Sequence, residues 1–173
     1  MRRTFVLLGI VACAGLAVLV VDPPPRQAPG DQVRGPRVVK LRSTDVQGLT
    51  LALRDGRMAI ARRGEHWDVD GQPSGERLAE SIDDLIALLT TMRAVDRFRA
   101  PDDAAYGLDA PLGLIEVRGT LRETRLVLGA LNHAGSAVYA RRDGHPRVLL
   151  LGSHILSAID RVFYFRSRGR KPA

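Results

Sequence analysis

Between Gly75 and Arg93 the apolar residues fall at Leu78, Ile82, Leu85, Ile86, Leu89 and Met92. That i, i+4, i+7, i+8 spacing predicts an amphipathic helix with one buried stripe. Glu76, Arg77, Glu80, Asp83 and Asp84 lie mostly off the stripe, and Ser74 stands where an N-cap belongs. Acidic residues in the first turns and Arg93 at the end suit the helix dipole. On both sides the sequence changes to short alternating runs that read as strands, so this helix needs a sheet to lie on. The expected fold is α+β: antiparallel β-meanders before and after one long amphipathic helix packed on the sheet, followed by a short C-terminal helix. No convincing internal repeat is visible in the residues.

Ahead of the helix, Val38 to Leu41 is a short apolar run that reads as a first strand. Leu49, Leu51 and Leu53 then alternate with Thr50, Ala52 and Arg54, the period of a half-buried strand. Asp55-Gly56 is a two-residue hairpin signal, Met58 and Ile60 return, and Trp67 and Val69 form a brief strand ending at Asp70-Gly71. Trp67, the only tryptophan, reads as a plug between meander and helix. Beyond the helix, Asp102 can cap a single helical turn, and Tyr106-Gly107-Leu108-Asp109-Ala110-Pro111 makes a tight connection with Gly107 at positive φ. Strands resume at Leu114 to Val117, Thr124 to Leu128, Val138 to Ala140 and Val148 to Leu151, with loops at 119–123, 130–135 and 143–146. Ser153 then opens a short helix with Ile155, Leu156, Ile159 and Val162 on one face.

The first thirty-seven residues are of another kind. Arg2 and Arg3 precede an unbroken apolar run from Phe5 to Val21. At about 1.5 Å per residue this run gives roughly 26 Å of helix, close to the ~30 Å core of a bilayer. A cleaved signal peptide needs a shorter stretch and a small-residue cleavage site, and Asp22-Pro23-Pro24-Pro25 offers none. Ile10-Val11-Ala12-Cys13 resembles a lipobox, which would make Cys13 an acylated first residue; the apolar residues after it argue against the usual polar tether. The preferred reading of residues 1–21 is an uncleaved transmembrane anchor, with the lipoprotein-type signal as the alternative. The arginine pair then stays in the cytoplasm and the rest of the chain goes outward, which places it on the bacterial inner membrane with its body in the periplasm or exterior. Residues 22–37 hold Pro23, Pro24, Pro25, Pro29 and Pro36, half of the ten prolines, and read as a semi-rigid linker.

The net charge of +7 raises the question of nucleic acid. Nearly all of that charge is arginine, with lysine only at Lys40 and Lys171, and it is scattered among 19 acidic residues, so no nucleic-acid partner is expected. The one cluster above background is Arg161, Arg166, Arg168, Arg170 and Lys171, whose last part (166–173) reads as a basic tail. It is either a solvated terminus or a contact for anionic lipid or an acidic partner.

No residue set carries a catalytic, cofactor or metal signature. Cys13 is alone, and His66, His133, His145 and His154 are too dispersed for a local metal motif. Asp83-Asp84 and Asp102-Asp103 are neighbours that point about 100° apart on a helix, so capping and solvation explain them better than a catalytic dyad. Ser153 and Ser157 lack a nucleophile elbow, and Gly129 to Gly135 is neither a P-loop nor a dinucleotide fingerprint.

Several landmarks occur together in order. Trp67 precedes a Gly71-Gln72-Pro73 turn, the amphipathic helix runs through Leu89, and Val95 to Phe98 follow. Tyr106 to Pro111 comes next, then Leu126-Val127-Leu128-Gly129, Val138-Tyr139-Ala140-Arg141 and Val148. This set resembles the bacterial family catalogued as domain of unknown function 4340, over roughly Val38 to Phe165. The resemblance implies an envelope protein with an N-terminal anchor, some of whose relatives are similar to gene neighbours of ABC-type transporters. It supplies no catalytic residue. The expected function is therefore a membrane-anchored, non-enzymatic accessory or scaffold domain with a protein partner in the cell envelope. The alternative is a ligand-binding module for a lipid or cell-wall fragment.

Overall fold

In a strand every second side chain meets the core, and the computed structural model of this chain, which describes residues 35–54 and 56–169, puts that alternation on a single sheet. The elements are β1 (Val46–Leu53), β2 (Gly56–Arg63), β3 (His66–Val69), β4 (Gln72–Pro73), α1 (Glu76–Thr91), β5 (Asp96–Arg99), β6 (Gly113–Gly119), β7 (Glu123–Leu131), β8 (Ala137–Arg142), β9 (Arg147–Gly152) and α2 (His154–Gly169). The nine strands pair antiparallel in the order β4-β3-β2-β1-β6-β7-β8-β9-β5. The α+β architecture expected from the sequence is what forms. The expected anchor, the cysteine of the lipobox-like run, most of the expected linker and the last four residues lie outside the described residues. No described helix is long and apolar enough to cross a membrane.

The strand order holds a regularity that the residues hide. Two four-stranded meanders, β1–β4 and β6–β9, run outward from a central antiparallel seam between β1 and β6, and each is followed by a 16-residue helix. An antiparallel seam of this kind is what a two-fold axis normal to the sheet produces. The C-terminal helix is thus as long as the first, not a short appendage. Its buried Ile155, Ile159 and Val162 repeat the spacing of Leu78, Ile82 and Leu85 in α1.

Both helices bury their stripes in one core with Leu49, Leu51, Met58, Ile60, Ile115, Leu126, Leu128 and Leu151, the inward positions of the strands. They lie antiparallel on the same face. The start of α1 at Gly75 to Leu78 adjoins Tyr164, Phe165 and Arg168 near the end of α2, and Arg161 stands 3.5 Å from Asp84. Ser81 and Thr90, both buried, donate their hydroxyls to Leu78 and Ile86 carbonyls of their own helix, so neither leaves an unpaired group in the core.

Local expectations met the structure unevenly. Val38 to Leu41 is not a strand: Val38 and Val39 are fully buried as an irregular plug, and Val38 donates its backbone N–H to Met92 at the end of α1. Ser74 does not cap α1; its N–H pairs back to Trp67 while Gly75 holds the cap position. Arg93 lies beyond the helix and donates to the Gly35 carbonyl. Trp67 is the plug expected, 2% exposed, with its indole N–H given to Asp83 at 2.9 Å. Asp102 does support the next turn, its carboxylate accepting Ala104 N–H at 3.1 Å.

The long return from β5, at one edge, to β6, near the centre, crosses the sheet face opposite the helices. On that outer face Tyr106, Phe98 and Tyr139 form a triad of tilted and edge-on rings with centroids 4.8–6.2 Å apart. Arg141 on β8 clamps the crossing by an ion pair with Asp103. Tyr106-Gly107-Leu108 lies directly on the bulge in β7 where the register with β8 shifts between Leu128 and Leu131. The far edge, β4, is two residues long and contains Pro73, a combination that discourages pairing by another strand.

Candidate functional site

The strand order brings together charges that are far apart in sequence. The β8–β9 turn contributes Arg142, His145 and Arg147, the plug before β1 contributes Lys40, and edge strand β5 contributes Arg97. A hollow of about 220 Å³ is lined by these five residues with Arg37 and the apolar Pro36, Pro146 and Leu149. Its lining contains no carboxylate. It adjoins a wider, more open hollow of about 680 Å³ that shares Lys40, Arg142 and His145 and adds Arg122 and Arg125 from the β6–β7 hairpin. There Glu116, Glu123 and Asp143 offset part of the charge, and Glu116 is held by Arg125 at 3.4 Å.

The turn itself is well ordered by its own bonds. Gly144 takes a left-handed φ of 70°, and Asp143 accepts the Gly144 N–H on its side chain. Arg142 contacts both ring nitrogens of His145, its Nε lying 3.4 Å from Nδ1 and its Nη2 2.5 Å from Nε2, and Nδ1 also lies 3.1 Å from the Asp143 carbonyl oxygen. Arg142 and His145 are thereby held side by side at the junction of the two hollows. Arg97, Arg147, Lys40 and Arg37 keep exposed side chains free to meet an anion.

At the opposite edge of the sheet the sign reverses. A hollow of about 660 Å³ beside β3 and the first turns of α1 is lined by Glu65, Glu76, Glu80, Asp83 and Asp84 with Trp67 at its base, and holds no Lys or Arg in its lining. Beside it Arg62 stacks over the Trp67 ring at 4.4 Å and stands 3.9 Å from Asp83. The two hollows are thus of opposite sign, the acidic one beside β3 and the basic one between β9 and β5.

The residues weighed in the sequence fall as follows. His66, His133, His145 and His154 are all exposed and sit on separate elements, and no group of three metal-binding side chains occurs among the described residues. Asp83 accepts from Trp67 and faces Arg62, Asp84 faces Arg161, and Asp103 pairs with Arg141. The C-terminal basic cluster is not a solvated tail as far as Gly169: Arg166 lies inside α2, only 19% exposed, and pairs with Asp70 of the β3–β4 turn. Arg168 stacks on Tyr164 at 4.9 Å. On the approach to β1, hydrogen bonding from Arg42 holds the Asp45 carboxyl below its usual range.

No family model, curated protein or solved structure matches this chain. What the site can do must therefore be read from its own chemistry. Guanidinium groups and an ammonium beside apolar residues, without a carboxylate in the smaller chamber, suit an anion carried on a partly apolar molecule. Sequence reading missed it because scattered arginines carry no local pattern. The nearest signal was Arg141-Arg142 and His145-Pro146-Arg147 flanking one tight turn, which places bases at one end of a hairpin.

Proposed function

We propose that this chain is a membrane-anchored, extracytoplasmic accessory protein of the domain of unknown function 4340 kind, acting by contact in the cell envelope rather than by catalysis. The observation that carries the reading is the run Phe5 to Val21 behind Arg2-Arg3, followed by the proline-rich spacer and then a separately folded body. The body's attachment supports it: Pro36 accepts the Ala94 N–H, and Val38 donates to Met92, so the spacer's last residues are fastened to the end of α1. An envelope complex built around an ABC-type transporter is the setting that the family resemblance suggests for the partner.

A second reading, a ligand-binding module for a lipid or cell-wall fragment, is favoured by the hollow at Lys40, Arg142 and His145. Alkaline carbonate washing of membranes tests the anchor: the full chain stays in the pellet and its body is digested by protease added outside the inner membrane. Release into the wash, or a body protected from that protease, overturns the proposal. Mass spectrometry of the retained chain separates the two anchor types, since acylation at Cys13 replaces the transmembrane reading with a lipoprotein one.

A further inference from the structure

We infer that the cationic hollow between the β8–β9 turn and β5 is a seat for anionic phospholipid headgroups, which holds the body with this edge against the membrane. The inference rests on the anchored reading above. Three observations converge on it. The hollow's lining is basic at Arg37, Lys40, Arg97, Arg142 and Arg147 and contains no carboxylate, unlike the wider hollow beside it. The rest of its lining, Pro36, Pro146 and Leu149, is apolar, which suits the glycerol and first methylenes behind a phosphate.

The third observation is position. Pro36 and Arg37, the last residues of the spacer, form one wall of the hollow, so the chain reaches the body at this seat. The opposite sheet edge carries Glu65, Glu76 and Glu80, which an anionic leaflet repels, with Asp83 and Asp84 beside them already facing Arg62 and Arg161. Attraction at one edge and repulsion at the other define one orientation. Each basic residue near an anionic leaflet raises membrane partition by about fivefold at ordinary salt, so a handful suffices to dock a body already tethered nearby. An acidic protein partner would use the same charges, but it gives no reason for the seat to coincide with the arriving spacer.

The test uses the full chain reconstituted in vesicles of phosphatidylcholine alone or with about one third phosphatidylglycerol, reading amide hydrogen exchange at 37–40 and 143–145. Expected is at least tenfold slower exchange in the phosphatidylglycerol vesicles, lost in the triple variant Lys40→Ser, Arg97→Ser, Arg147→Ser. The control triple variant Arg54→Ser, Arg57→Ser, Arg77→Ser, which removes equal charge away from the seat, keeps the protection. Equal exchange in the two lipids, or equal loss in both variants, overturns the inference. So does the same protection from millimolar inorganic phosphate over phosphatidylcholine, which makes the ligand a free anion. If carbonate washing releases the chain, the anchored reading fails by itself. Co-sedimentation with the same vesicles then decides the seat: binding that needs phosphatidylglycerol and the three named residues supports it, and indifference to either overturns it.

Discussion

A methyl group on Gly129 would stand 2.2 Å from the carbonyl oxygen of Tyr106, so the β5–β6 crossing and the β7 bulge touch backbone to backbone. Gly107, at φ 65°, meets the same bulge: a Cβ there would lie 2.8 Å from Ala130 N. The contact explains why two glycines on separate elements are needed together. Gly129→Ala is expected to cost about 1–3 kcal/mol, as overpacking does in a close-packed interior. Gly107→Ala adds left-handed strain to the clash and costs at least as much. Gly135→Ala, also at positive φ but with open space around it, loses only the conformational part. Thermal melts of the three variants give this order; an equal loss in all three denies the contact.

Asp83 and Asp84 are adjacent on α1 and should differ sharply in worth. Asp83 accepts the indole N–H of buried Trp67, whereas Asp84 meets Arg161 with both side chains more than half exposed. Asp83→Ala leaves that N–H without its acceptor and is expected to destabilise by about 1–3 kcal/mol. Asp84→Ala stays within about 1 kcal/mol of the parent, the range of exposed ion pairs. Urea titration followed by Trp67 fluorescence measures both, and a larger loss for Asp84 would contradict the assignment.

Leu85 and Leu89 are fully buried where α1 meets the sheet. Truncating either to Ala removes three heavy atoms from a close-packed site and should cost about 2–5 kcal/mol. Glu80 and Ala87 lie on the exposed side of the same helix, and Glu80→Ala is expected to be near neutral. The same urea titration distinguishes them; a loss below half a kcal/mol at Leu85 would refute the buried stripe.

The helix was legible because its signal is local: Leu78, Ile82, Leu85 and Leu89 announce their common face by spacing alone. Strand-forming alternation was equally plain at Leu49, Leu51 and Leu53. Val38 and Val39 were not, since a short apolar run reads the same whether it joins a ladder or plugs a gap, and only the Val38 bond to Met92 decides. The two-fold arrangement escaped because its repeat lies in topology. Antiparallel pairing of β1 with β6 joins residues such as Leu51 and Ile115, whose separation no periodicity encodes. The basic seat escaped for the same reason: Lys40, Arg97 and Arg147 become neighbours only when β5 adds to β9.

Arg166 shows how a charge at a chain end can be structural. In α2 it follows Ile155, Ile159 and Val162 at the spacing that places Leu89 after Leu78, Ile82 and Leu85 in α1, so a core-side position holds a guanidinium. Its partner Asp70 sits at φ 52° in the β3–β4 turn, where its other carboxylate oxygen accepts the Ala59 N–H at 3.0 Å. The pair pins the end of α2 to the edge of the first meander. Arg166→Ala should therefore destabilise by about 1–3 kcal/mol, with part of the loss due to lost packing of the aliphatic stem. Arg166→Leu should recover much of it, because an apolar side chain suits a place that is Leu89 in the sister helix. A double-mutant cycle with Asp70→Asn should give a coupling of about 1 kcal/mol that shrinks in molar salt, given the partial exposure of both groups. If Arg166→Leu proves no better than Arg166→Ala, the charge itself is what the position requires, and the equivalence of the two helices stops one turn earlier.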